Sequence, residues 1–150
     1  TGGAIIYSPR KVKEARTRYA RRHELVKIMA IVVLTIDRNA KDDSARVYLK
    51  DESRLEAPSV EAIIYRSHVG ALPELGVGDC ILLKQFVCFS GKKIPYLEST
   101  KSSAWCVWGS SGVPVCHQRF PVPQLSNMQS LEMQRLCRWW ASHFNVIPII

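Results

Sequence analysis

An all-β core carrying a helix at either end is the fold class this 150-residue sequence predicts. Lys27 to Asp37 is a run dominated by β-branched residues, which favour a pleated surface. Cys80 to Phe89 is a second apolar run, too short and too rich in Val, Ile and aromatics for a helix. Helical periodicity is confined to the stretch after Ser8-Pro9 and the stretch after Ser126.

Thr1 to Tyr7 carries no signal. Ser8-Pro9 is an N-cap followed by a first-turn proline, and Val12, Ala15, Tyr19, Ala20, His23 and Val26 fall on one face at helical spacing, so a helix from Pro9 to about His23 is expected. Its other faces hold Arg10, Lys11, Lys13, Arg16, Arg18, Arg21 and Arg22 against Glu14 and Glu24. Such a face is solvated, contacts phosphates, or docks another protein.

Lys27 to Asp37 is long enough to curve around a small barrel, and the polar residues to Ser44 follow as a loop. Ala45 to Asp51 alternates, with Ala45, Val47 and Leu49 apolar and Arg46, Tyr48 and Lys50 on the other side. The apolar set is expected to face the core, and the second set the outside. After Pro58, Ser59 to Arg66 repeats the pattern, so Tyr65 shares the outer side with Tyr48. A short connection follows, with one helical turn expected at Val69 to Leu72. Gly76 and Gly78-Asp79 turn the chain into the Cys80 to Phe89 strand, and Ser90-Gly91 turns it back toward Ile94. Of Trp105 and Trp108, one is expected in the core. Gly109 to Pro123, with Gly112, Pro114, Pro121 and Pro123, reads as a linker. Ser126 with Gln129 forms a capping box, and Met133, Leu136, Cys137, Trp140 and Phe144 repeat at helical spacing.

At 47% hydrophobic and 23% charged, a chain of this length buries one core. No apolar run approaches the roughly 18 residues of a membrane-spanning helix. The N-terminus shows no secretory h-region and does not begin with Met, which suggests a piece of something longer. Five cysteines without a C-x-x-C pair read as reduced, mostly buried thiols of an intracellular protein. A zinc site at Cys106, Cys116 and His117 lacks paired ligand spacing, and no metal or cofactor is expected. The signatures G-x-x-x-x-G-K, H-E-x-x-H and G-x-S-x-G are missing, so no enzyme is indicated. A formal net charge of +8 points to an anionic partner, nucleic acid first.

Ala71-Leu72-Pro73, then Gly78-Asp79 opening an apolar strand, the Phe89-Ser90-Gly91 turn, and Ser102 to Trp108 closing the unit resemble the first oligonucleotide/oligosaccharide-binding (OB) domain of the telomere end-protection family. That family includes the protection-of-telomeres proteins and the alpha subunit of ciliate telomere end-binding protein. The resemblance extends to Val47 to Asp51, to Ser59 to Tyr65, and to Leu136-Cys137-Arg138-Trp139-Trp140-Ala141-Ser142, which is similar to the family's Leu-Arg-x-Trp-Ala-Ser helix. It implies a five-stranded OB-fold barrel with an N-terminal basic helix and a C-terminal helix. The expected divisions are an extension at 1–24, the barrel at 25–109, a linker at 110–124, and a helix and exit at 125–150 leading to a further OB domain.

The same resemblance implies a module that binds single-stranded DNA, specifically the G-rich telomeric overhang, and protects chromosome ends in the nucleus. Other telomere proteins are possible partners; no membrane is. Tyr65 takes the place of a family base-stacking aromatic, and Phe89 that of the family's Tyr. Counted from Gly78-Asp79, the Phe89 strand is about two residues shorter than the family's, so Lys84 and Gln85 do not register cleanly on its His-Arg pair. Tyr48, Tyr65 and Phe89 are expected to stack bases, with Tyr65 and Phe89 holding neighbours. Arg46, Lys50, Lys84, Lys92 and Lys93 are expected to neutralise phosphates, and Asp51, Gln85 and Ser99 to meet base edges. Two alternatives stay open: an OB-fold protein-interaction module, and a binder of single-stranded RNA.

Overall fold

The computed structural model describes residues 5–7, 25–36, 43–52, 59–89, 95–109, 112–117 and 125–143. In chain order the elements are β1 (Ile5–Tyr7), β2 (Leu25–Ile36), β3 (Ser44–Lys50), β4 (Val60–Tyr65), α1 (Arg66–Val69), β5 (Cys80–Phe89), β6 (Tyr96–Glu98), β7 (Ala104–Trp108), β8 (Pro114–Cys116) and α2 (Asn127–His143). The helix expected over Pro9 to His23 lies outside the described residues. What is described before β2 is a strand with no local signal: β1 runs parallel to β2, with Ile6 opposite Lys27.

The strands close a barrel. β2 pairs β3 antiparallel through its second half and β5 antiparallel through its first, so one long strand serves both seams. β3 pairs β4 antiparallel, β4 pairs β6 parallel, and β6 pairs β5 antiparallel. β6 lies against Val87–Phe89 and β7 against Cys80–Lys84, both on the edge of β5 away from β2. They are therefore two halves of one interrupted strand, and the barrel is the expected five-stranded OB-fold.

The apolar runs are continuous because two cores claim the two faces of the same strands. Val26, Ile28, Ala30 and Val32 of β2 point into the barrel with Ile81, Leu83 and Phe86 of β5 and Trp105 and Val107 of β7. The alternate residues Met29, Ile31, Val33, Cys80, Leu82, Ala104 and Cys106 face outward and meet Met133 and Leu136 of α2. α2 begins as the capping box requires. Gln129 N–H donates to Ser126 Oγ and Ser126 N–H to Gln129 Oε1, each at 3.0 Å. Its close approach to the barrel demands a glycine at Gly78, where φ is +94° and a Cβ would stand 2.9 Å from Trp140 Nε1. Arg135 ties α2 to the end of β3 through ion pairs with Glu52 and its own Glu132.

Three expectations need correction. The single helical turn is Arg66–Val69, three residues earlier than expected, because Gly70 at φ +82° ends it. Within the stretch read as linker, Pro114–Cys116 forms β8 on β7; a proline starting a strand beyond which no other pairs, among the described residues, removes no needed donor. Cys106 and Cys116 stand directly opposite in that pair and are joined as a disulfide rather than reduced. Cys80, Cys88 and Cys137 take no part in disulfides. No metal-binding cluster exists among the described residues, and His117 instead donates Nε2–H to the Val69 carbonyl at 2.6 Å.

Candidate nucleic-acid interface

Strand register sets the outer face. Val47, Leu49, Val60, Ala62, Ile64 and Leu97 all point into the barrel, so their neighbours point out. One row then crosses four strands as Tyr48, Glu61, Tyr96 and Phe89, and the next as Arg46, Ile63, Glu98 and Val87. Tyr65, opposite Ser44, ends the face on β4.

Phe89 stacks on Tyr96, with ring centroids 5.6 Å apart and planes at 20°. This makes a two-ring apolar surface at one end of the face. At the other end His68, one turn into α1, meets the Tyr65 ring edge-on at 5.4 Å. Ser99 fixes both: its Oγ accepts the Tyr65 N–H at 2.9 Å and is hydrogen-bonded to His68 Nδ1 at 2.7 Å. Tyr48 is half-buried, lends its ring to the cluster under α2, and hydrogen-bonds Glu61. Burial pushes its phenol above the ordinary value and the Glu61 carboxylate adds to this, while Arg46 pulls the other way.

The expected residues divide on this geometry. Arg46, Tyr48, Tyr65, Lys84 and Phe89 lie on the outer face and keep at least part of their surface. Lys50 has the right parity but is only 3% exposed, which contradicts its expected outer placing. Its partner across the ladder is Ile31, a member of the cluster that packs against α2, so this end of the face is closed over. Asp51 at 8% and Ser99 at 4% are likewise too enclosed to meet a base edge directly; Ser99 acts on Tyr65 instead. Lys92 and Lys93 lie outside the described residues.

Tyr65 and Phe89 share the face but do not sit side by side. β6 is parallel to β4 and antiparallel to β5, so two strands that both end in an aromatic end in opposite directions. Phe89 falls in the row of Glu61, four residues back from Tyr65 and two strands across, roughly 16 Å away at ordinary strand spacings. Stacked bases rise about 3.4 Å, so the two rings are too far apart to stack on neighbouring bases.

Tyr96, Glu61, Glu98 and His68 were missed by sequence reasoning. Tyr96 had a usable signal, as an aromatic two residues beyond Ile94 in the strand pairing with Phe89. The two glutamates had none, because an acid inside a basic interface is visible only once the rows are aligned. Gln85 adopts φ +63° and interrupts β5. Thr100 Oγ1 and Ser103 Oγ donate to its carbonyl at 3.1 and 2.6 Å, so the break between β6 and β7 is bonded onto this residue.

Residues 7–149 match the family model described as telomeric single stranded DNA binding POT1/CDC13. The chain belongs to that family. Among solved structures, fission yeast Pot1 with single-stranded DNA superposes with a TM-score of 0.67 at 18% identity, over 91% of this chain and 48% of that one. This chain therefore spans about half of that protein. A second structure, a complex of Pot1 (protection of telomere) with single-stranded DNA, gives 0.67 at 14% identity over 93% and 99%. The tetrameric p202 HIN2 gives 0.51 at 14% identity over 67% and 48%. At these identities the likeness establishes a shared OB-fold. No curated protein matches this chain.

Proposed function

We propose that this family member binds single-stranded telomeric DNA across the outer face of β3, β4, β6 and β5, at chromosome ends in the nucleus. The observation that carries the reading is an aromatic platform at each end of one open face, Tyr65 and the Phe89–Tyr96 stack, in a chain matched almost end to end by this family. Each platform accepts a base by stacking, worth roughly 1 to 3 kcal/mol and tolerant of sequence. Arg46 and Lys84 supply phosphate contacts on the same face. Preference comes from polar groups between the platforms. Glu61 and Glu98 flank Tyr96 along the sheet, and a carboxylate accepts from base N–H groups. Guanine offers two adjacent donors on its Watson–Crick edge, which favours the G-rich overhang.

The test is titration of labelled G-rich, C-rich and scrambled oligonucleotides, as DNA and as RNA, across a salt series. G-rich DNA is expected to bind tightest, with affinity falling by about 0.7 log unit per log unit of salt for each phosphate contact. A flat salt response, or equal binding of scrambled strands, removes the reading. A protein-interaction role has its own support off this face. Val113 and Val115 around β8, and Met128 and Leu131 on α2, are exposed apolar side chains. Their replacement by Ser leaves DNA binding unchanged if the two surfaces are separate.

A further inference from the structure

The seam between β2 and β5 is irregular at one place. Val26 pairs with Phe86 and Ile28 with Leu83, so the single residue Lys27 stands opposite two, Lys84 and Gln85. All four flanking residues point into the barrel core. The bulge thus sets an extra polar residue between two inward ones, which is how bulges re-aim side chains at binding sites. Its conformation is held against preference. Gln85 is not glycine yet has φ +63°, and strain of this kind persists where surrounding bonds enforce it and gathers at ligand sites. Here the enforcing bonds are the Thr100 and Ser103 hydroxyls on its carbonyl.

Two further observations point to a ligand. Burial, and then the charge of Lys84, push the Lys27 ammonium below the ordinary lysine value, so the two ammonium groups act on each other across the seam. The Gln85 side-chain oxygen is buried without a hydrogen-bond partner, a costly state that a donor relieves. The place is also on the face already described. Tyr65 is two residues beyond Ile63 and Gln85 two residues before Val87, and Ile63 and Val87 both pair with Glu98. Tyr65 and the bulge therefore lie in one row, roughly 10 Å apart across two strands.

We infer that the β2/β5 bulge is a nucleotide subsite, in which Lys27 and Lys84 together hold one backbone phosphate and the Gln85 amide oxygen accepts an N–H from the adjoining base. This rests on the proposed single-strand binding and adds to it a residue, Lys27, and a path, from Tyr65 along its row to the β2 seam.

The experiment compares the full chain with Lys27→Gln, Lys27→Arg and Gln85→Leu, using a G-rich DNA oligonucleotide and its singly methylphosphonate-substituted versions. Thermal unfolding of each protein is recorded beside binding. In the unsubstituted protein one methylphosphonate position weakens binding strongly. In Lys27→Gln that position becomes neutral, and the salt slope drops by about 0.7, equivalent to about 2.6-fold less affinity loss between 50 and 200 mM salt. Lys27→Arg retains the slope, which a merely structural role for the lysine stem does not require. Gln85→Leu keeps the slope but alters base preference at the nucleotide next to that phosphate. Should Lys27→Gln bind with unchanged slope and unchanged methylphosphonate profile, the subsite is refuted while single-strand binding stands. Should the unsubstituted protein bind no single strand at all, both fall.

Discussion

Replacing Trp105 by Ala separates the barrel's stability from its binding face. Trp105 is 6% exposed and sits in the barrel core, with Nε1–H donating to the Ala71 carbonyl at 2.9 Å. Its ring lies 5.7 Å from that of His117, which is itself bonded to Val69. The indole therefore joins β7 and the end of β8 to α1 at the barrel floor. Removing it costs about 3 to 5 kcal/mol, the range for a large aromatic deleted from a core. The abandoned Ala71 carbonyl adds little, because Ala71 is exposed and water takes the place of the indole. At about 2 to 4 °C per kcal/mol for a domain of this size, the melting temperature falls by about 6 to 20 °C. Trp105→Phe keeps most of the ring and loses mainly the hydrogen bond, so its loss is about 1 kcal/mol. Melting by circular dichroism and affinity for G-rich DNA are measured on the same preparations, binding at a temperature where both variants are folded. Affinity is expected to stay within about twofold, since the ring faces away from the strand. A melting shift under about 2 °C, or a tenfold affinity loss in fully folded Trp105→Ala, would refute the assignment of this side chain to the core.

Tyr65→Ala and Phe89→Ala each are expected to weaken single-strand binding by about 1 to 3 kcal/mol with melting shifts of a few degrees at most. Because their platforms lie far apart, an oligonucleotide shortened to two nucleotides responds to one substitution and not the other; equal response to both overturns the spacing. Reducing the Cys106–Cys116 disulfide, which closes a short loop between β7 and β8, lowers stability by about 2 to 3 kcal/mol, read as the difference in denaturant midpoint with and without reductant. Arg135 holds the Glu52 carboxyl below its ordinary 4.5, chiefly by hydrogen bonding. A depressed folded value means the pair's stabilisation is present above pH 4.5 and is lost as pH falls through the folded value. Both side chains are over a third exposed, so Glu52→Gln costs no more than about 1 kcal/mol at pH 7, and the cost shrinks as melts are taken progressively below pH 4.5.

Much of the barrel was legible because its strands obey period 2 and its runs are long. The long first strand, the facing of Ala45, Val47 and Leu49, the capping box at Ser126 and the seam residues Met133 and Leu136 all follow from local pattern. Arg46, Tyr48 and Tyr65 were placed on the outer side by the same count, and Lys84 and Phe89 by the family resemblance; alternation alone would have turned Phe89 inward, and the bulge at Gln85 turns it out. The count stopped short at Lys50, where parity was right and exposure was not, since alternation within Val47 to Asp51 fixes which side a residue faces and not what encloses it.

What the sequence by itself determined is which side of each strand is apolar, where the chain turns, and that the whole carries excess positive charge; these depend on neighbours along the chain. The tertiary structure decided everything that depends on neighbours across it. Strand direction put Tyr65 and Phe89 at opposite ends of one face instead of side by side. Register brought Tyr96 onto Phe89, Ser99 and His68 onto Tyr65, and Cys116 opposite Cys106. A one-residue bulge set Lys27 beside Lys84 and Gln85. Periodicity repeats within a strand whatever lies beside it, whereas pairing is fixed only when the barrel closes and every hydrogen-bonding edge has chosen its partner.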